Sequence, residues 1–299
     1  MASNNRIIYY YQTFTGLTPI LHENPETTHI HLSAFHFGNN TDPDETPYIH
    51  LNNNNPNDPV FDPVWKEIKA AAALGIKIVI MLGGAGGAYG NLFSNFETYY
   101  TLLHQTIKNH PEINGIDLDI EEEVTLDNCK KLINRIHTDF GDDFIIAMAP
   151  LGSSLGNDEP GMGGFIYKDL YTSPEGQYIN YFNGQFYGSY QPSDYEKAIL
   201  NGYPEEKVVM GMLEGIDFVG ACQTLTALKV EYPNLGGTFI WEYFQAPPDG
   251  KADPSEWSKE INKIFNPPKS HSGFSFGSSF GSSLGSVGGY LRSFFPSLS

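Results

Sequence analysis

Between residues 6 and 265, short apolar runs alternate with segments of helical periodicity. Eight runs read as strands: Arg6–Gln12, His29–Phe37, Ile76–Leu82, Ile113–Glu121, Phe144–Met148, Ile179–Tyr187, Val208–Met212 and Thr238–Trp241. Several, such as Ile76–Leu82, are almost continuously apolar, the pattern of strands covered on both faces of a parallel sheet. Asp62 before Pro63 marks a helix start, and Gly75 ends the alanine-rich stretch that follows. Thr125 can cap a helix on which Leu126, Cys129, Leu132, Ile133 and Ile136 form one stripe. A further helix is predicted over Glu214–Tyr232, ahead of Gly236-Gly237. Eight strands alternating with helices over about 260 residues predict an α/β fold, a (β/α)8 TIM barrel. A doubly wound sheet is the competing arrangement.

Residues 268–299 break the pattern. From Ser270 onward the chain is rich in Gly and Ser, repeats roughly as GFSFGSSFGSSLGS, and carries one charge, Arg292. That composition predicts a flexible tail outside a barrel domain at 1–267. Phe274, Phe276, Phe280, Tyr290, Leu291, Phe294 and Phe295 also make it sticky. Two readings stand: a disordered end, or an anchoring peptide that docks on a protein partner.

Composition narrows the function. The chain has 17 basic and 35 acidic residues among 299, a net charge of −18. No basic stripe exists to neutralise phosphates, which argues against nucleic acid and against anionic membrane surfaces. An uncharged substrate is the default, and 20 Phe with 18 Tyr suit sugar rings. Two cysteines, Cys129 and Cys222, are too few for a disulfide scaffold or a four-cysteine zinc site. No apolar run of about 18 residues predicts a membrane span, and residues 1–12 lack a signal-peptide core. The expected location is therefore intracellular, non-classically exported or within a larger assembly. The sequon Asn39-Asn40-Thr41 carries little weight without an export signal.

The segment Asn114–Glu121 carries the chemistry. Strand alternation sends Ile116, Leu118 and Ile120 one way and Asp117, Asp119 and Glu121 the other, into the barrel. Three crowded, desolvated carboxylates cannot all ionise, so at least one must hold a proton near neutral pH. That is what a general acid needs, and Glu121 stands last, at the strand end where barrel active sites lie.

Asn114-Gly115-Ile116-Asp117-Leu118-Asp119-Ile120-Glu121 resembles the D-G-x-D-x-D-x-E motif of glycoside hydrolase family 18, the chitinase and endo-β-N-acetylglucosaminidase family. Asn183–Tyr187, Ala149-Pro150 and Gly236–Tyr243 resemble further segments of that family in the same order. The resemblance implies hydrolysis of β-1,4-linked N-acetylglucosamine by a retaining, substrate-assisted mechanism without cofactor or metal. It implies that Glu121 is the general acid. Asp119 would orient the 2-acetamido group and stabilise the cation, with Asp117 sharing its proton. Tyr187 would bond the acetamido oxygen. Gln185, Trp241, Met148 and Asn183 are the expected substrate-binding residues, Trp241 as an apolar floor. Two positions depart from the pattern. Asn114 replaces the first acid, which is expected to affect efficiency or pH optimum, and Met81 stands where many relatives carry Ser. An N-glycan chitobiose core is the alternative substrate, and an inactive sugar-binding or structural protein the alternative class.

Other signals read as incidental. Gly152–Gly156 matches a nucleophile elbow, but the only later histidine is His271. The stretch Gly83–Asn91 fails both phosphate-loop patterns and reads as a loop at the barrel mouth. His29 and His31 share a strand face and read as neutral, hydrogen-bonded groups rather than metal ligands. Glu122 and Glu123 read as solvated, and Trp65 and Trp257 as helix packing. Tyr9, Tyr10, Tyr11 and Phe14 read equally as core or as sugar platforms.

Overall fold

The computed structural model describes residues 5–39 and 46–267. The expected tail at 268–299, with His271 and its aromatic residues, and Asn40 and Thr41 of the sequon lie outside the described residues.

The strands are β1 (Arg6–Tyr11), β2 (His29–Asn39), β3 (Pro47–Leu51), β4 (Lys77–Gly83), β5 (Ile113–Asp119), β6 (Ile145–Met148), β7 (Tyr181–Gln185), β8 (Val208–Leu213) and β9 (Gly237–Trp241). The helices are α1 (Asp62–Ala73), α2 (Tyr89–Ser94), α3 (Phe96–Asn109), α4 (Leu126–Phe140), α5 (Gly152–Gly156), α6 (Tyr167–Tyr171), α7 (Pro192–Leu200), α8 (Phe218–Glu231) and α9 (Ser255–Phe265). Strand order is β1-β9-β8-β7-β6-β5-β4-β2, and β1 also pairs with β2. All these pairings are parallel, so the sheet closes. The result is the (β/α)8 barrel, and the doubly wound alternative is set aside. β3 was not foreseen. It adds antiparallel to the distal half of β2, with Phe35 opposite Leu51.

Local chemistry explains the helix ends. Thr125 Oγ1 accepts the Asn128 N–H at 3.2 Å, and Cys129, Leu132, Ile133 and Ile136 are the buried stripe of α4. Asp217 caps α8 through the Gly220 N–H at 3.2 Å, so that helix starts at Phe218 rather than Glu214. Both tryptophans pack as expected. Trp65 donates to Pro56 O at 2.8 Å, and Trp257 lies 4.9 Å from the Tyr9 ring.

The core has two compartments. A large shell lies between strands and helices and takes the outward residues of β5, Ile116 and Leu118. A smaller cluster fills the lumen: Ile8, Tyr10, Ala34, Met81, Ala147, Tyr181, Val209 and Phe239. Strand alternation therefore divides the β1 tyrosines. Tyr9 and Tyr11 belong to the shell, whereas Tyr10 points into the lumen.

Candidate active site

Asp117 and Asp119 project from β5 into the lumen, 0 % and 5 % exposed. Glu121 follows two residues beyond the strand and is half-buried at the mouth. The carboxylates occupy different environments. Asp117 Oδ2 accepts from Tyr10 OH at 2.5 Å, His31 Nδ1 at 3.0 Å and Asn183 Nδ2 at 3.4 Å. Asp119 is reached by Gln185 Nε2 at 3.2 Å. The same nitrogen donates to Ala149 O at 2.9 Å and approaches Glu121 Oε1 at 3.4 Å. Gln185 thus ties the two upper acids to the end of β6.

Burial, then the charges of Glu121 and Asp117, push the Asp119 carboxyl well above the usual carboxylate range. Asp119 is therefore the group that retains a proton. Burial likewise raises Tyr187, with Asp119 as its next cause, so its phenol remains an O–H donor at neutral pH. Asp117 Oδ1 is buried with no hydrogen-bond partner. A proton on the neighbouring Asp119 is the donor that such an acceptor calls for.

A cavity of about 420 Å³ opens above these groups. Asp119, Glu121, Gln185, Tyr187 and Trp241 line it, with Met81 and the backbone of Gly83–Gly86. Tyr10 lies 5.4 Å beneath the Trp241 ring. The glycine stretch is the mouth loop the sequence predicts. Gly84, at φ +77°, brings its backbone so close that a Cβ there would stand 3.3 Å from Asp119 Oδ2 and 2.7 Å from the Met81 methyl. A side chain at this position would narrow the cavity.

Six of the eight expected site residues meet around this cavity: Asp119, Glu121, Tyr187, Gln185 and Trp241 on its wall, and Asp117 beneath. Asn183 is close but hidden. It is fully buried and donates to Tyr10 Oη at 2.9 Å, so it supports the acids from below. Met148 is a correction. It is fully buried in the outer shell beside Ile146, while Ala147 is the residue of β6 that faces the lumen. Asn114 also differs from expectation. It lies on the outward face of β5, and its Oδ1 accepts the Ile78 N–H at 2.9 Å, away from the acids.

Glu122 is not a solvated loop acid. Its Oε1 accepts the Ala88 and Tyr89 N–H groups, the latter at 2.6 Å, and its Oε2 accepts Gly90 N–H at 3.1 Å. With His36 Nδ1 bonded to Gly87 O at 3.0 Å, it holds the mouth loop over the cavity. Glu242 does similar work at β1, accepting Gln12 and Thr13 N–H at 3.0 and 3.2 Å. Both contacts are remote in sequence, so no local pattern announces them. Among the described residues, no group of three or more His, Cys, Asp or Glu is arranged to hold a metal ion.

Three acids stacked along one strand toward the carboxyl end of a parallel barrel lie where barrel enzymes carry their active sites. No family model matches the chain. A solved fungal endo-β-N-acetylglucosaminidase from glycosyl hydrolase family 18 is 32% identical, with a TM-score of 0.80, covering 88% of this chain and 98% of that one. The structure of the chitinase ChiC from Aspergillus fumigatus is 32% identical, with a TM-score of 0.75, covering 86% and 98%. Chitinase 2 of Rhizopus oligosporus is 25% identical over 205 residues. That match spans 61% of this chain and 37% of the length of that relative. The chain belongs to glycoside hydrolase family 18.

Proposed function

We propose that this protein hydrolyses the β-1,4 bond between N-acetylglucosamine units, with retention at the anomeric carbon. The observation that carries the reading is the placement of Glu121 and Asp119 on one cavity wall, joined through Gln185. In this reading Glu121 protonates the glycosidic oxygen as the bond breaks. The 2-acetamido carbonyl of the substrate attacks the anomeric carbon from within the sugar, and an oxazolinium ion forms. Asp119 orients the acetamido N–H and faces the developing positive charge. Tyr187 donates to the acetamido oxygen, and Trp241 with Met81 offers the apolar underside. Water then opens the oxazolinium, with Glu121 as base.

Chitin oligomers and the chitobiose core of N-glycans share this bond. The similarity to both a chitinase and an endo-β-N-acetylglucosaminidase supports keeping both substrates. A third possibility is sugar binding without turnover. Incubation with a fluorogenic chitobioside, a chitotrioside and a high-mannose glycopeptide separates them. Release from either substrate class supports the hydrolase, and the class cleaved names the substrate. Binding without release from any of them would overturn it. The barrel domain at 1–267 is proposed to be sufficient, and the same assay on a chain ending at Pro267 tests that.

A further inference from the structure

The lumen floor contains an imidazole for which the reaction outlined above has no part. Asp117 has apolar neighbours on both sides in the sheet, Met81 on β4 and Ala147 on β6. Its hydrogen-bond donors therefore come from across the lumen. One is His31 of β2, which is 0 % exposed and has both ring nitrogens engaged. Nδ1 meets Asp117 Oδ2 at 3.0 Å, and Nε2 meets Tyr181 OH at 3.1 Å. The groups around the imidazole are Asp117 on β5, Tyr10 on β1 at 4.8 Å between rings, Tyr181 on β7 and His29 on its own strand. The Arg6 guanidinium stands 4.3 Å over the Tyr181 ring.

The partners of the two ring nitrogens favour one position for the imidazole proton. Burial pushes the Tyr181 phenol far up, so it keeps its O–H and can donate to Nε2. The proton of a neutral ring then lies on Nδ1, directed at Asp117. A doubly protonated ring would aim the same N–H at the same oxygen. Three donors on one carboxylate oxygen favour its charged form. Asp119, with one side-chain donor shared among three acceptors, has no equivalent support.

We propose that His31 is a positioning residue for the reaction: its Nδ1–H, aimed by Tyr181, holds Asp117 as the charged member of the Asp117–Asp119 pair and leaves the pair's proton on Asp119. The assignment rests on the functional reading above. Its consequence is that the proton stays at the level of the substrate, beside Glu121, instead of sinking to the lumen floor. Removing the donor lets Asp117 compete for it.

Two substitutions separate the donor from the bulk of the ring. His31→Asn places an amide nitrogen close to the position of Nδ1, and His31→Gln places its amide at the Nε2 end. The full chain with 13C-labelled aspartate is titrated by NMR, and kcat and KM are measured on a fluorogenic chitobioside. In His31→Gln, the pair's proton is expected to move from Asp119 toward Asp117, read as a smaller titration amplitude at the Asp119 carboxyl than in the parent. Its kcat should fall about 10–100-fold, the effect of losing one hydrogen bond to a charged group, with little change in KM. His31→Asn should restore most of both. Tyr181→Phe, which keeps the packing, should shift the titration in the same direction by less. Unchanged carboxyl titration in both His31→Gln and Tyr181→Phe overturns the proposal, as does equal damage in Asn and Gln variants that melt like the parent. A parent protein that cleaves no substrate defeats the functional reading alone, because the titration is read without substrate.

Discussion

Two hollows in this molecule differ in a way that runs against their size. The larger, about 1280 Å³, lies on the outer wall between α8 and α9 and is lined by Phe218, Val219, Cys222, Val230 and Ile264. There Lys263 holds Glu260 at 2.5 Å, and burial raises the Cys222 thiol to about 11, away from a reactive thiolate. The smaller, about 420 Å³, holds carboxylates with no cationic partner, fixed on strand ends. Chemistry needs groups that are desolvated, unneutralised and rigidly held, and only the small hollow has them. Volume alone would have pointed to the wrong wall.

The contrast can be broken at several points. Glu121→Gln should lower kcat about 10²–10⁴-fold, because an amide cannot protonate the leaving oxygen. Chitobioside release and an unchanged melting curve would check it, and retained turnover would remove Glu121 from its role. Asp119→Asn should lower kcat about 10²-fold, because an amide, unlike a carboxyl, cannot give up a proton and become charged as the cation develops. The same variant should be more stable than the parent at pH 8. The folded pKa of Asp119 is raised, so the parent loses stability as pH climbs from the unfolded value toward the folded one. The gain, about 2 °C or more in Tm, should shrink as pH falls toward 4. Calorimetry at both pH values reads it. Glu122→Ala should raise KM several-fold, about 3–10, while kcat moves less, because it frees three amides of the mouth loop without touching the acids. Faster hydrogen exchange at Ala88–Gly90 is the accompanying sign. Asn114→Asp should leave the pH–rate profile in place, since that side chain serves the Ile78 amide on the outer face; a displaced limb would reconnect it to the acids. Val230→Lys, in the large hollow, should change neither activity nor stability by more than about 0.5 kcal/mol.

What was legible in the sequence follows from the range of each interaction. The eight barrel strands show because several are dense apolar runs set between helical segments, and observed ends lie within two residues of the expected ones. The acids of β5 show because alternation there is clean: Ile116 and Leu118 against Asp117 and Asp119. β6 has only four residues, all apolar, so period two leaves no mark, and Met148 was placed on the wrong face. The same limit hides Glu122. An acid that binds amides more than thirty positions earlier looks like any other member of an acidic run. His31 was legible as a buried, hydrogen-bonded imidazole, but its partner Asp117 is 86 positions away and emerges only when the barrel closes.

Gln185 has a consequence that can be put as a count of hydrogens. Its amide nitrogen has two, and three oxygens approach it: Ala149 O, Asp119 Oδ1 and Glu121 Oε1. On the cavity wall, three acceptors thus compete for the two hydrogens of Gln185. A guest is welcomed here for the N–H it brings. An acetamido sugar supplies such a hydrogen on a rigid, planar group, at the height of the acids. Preference for the N-acetyl sugar would then begin as a deficit in the host, before any contact with the ring is made.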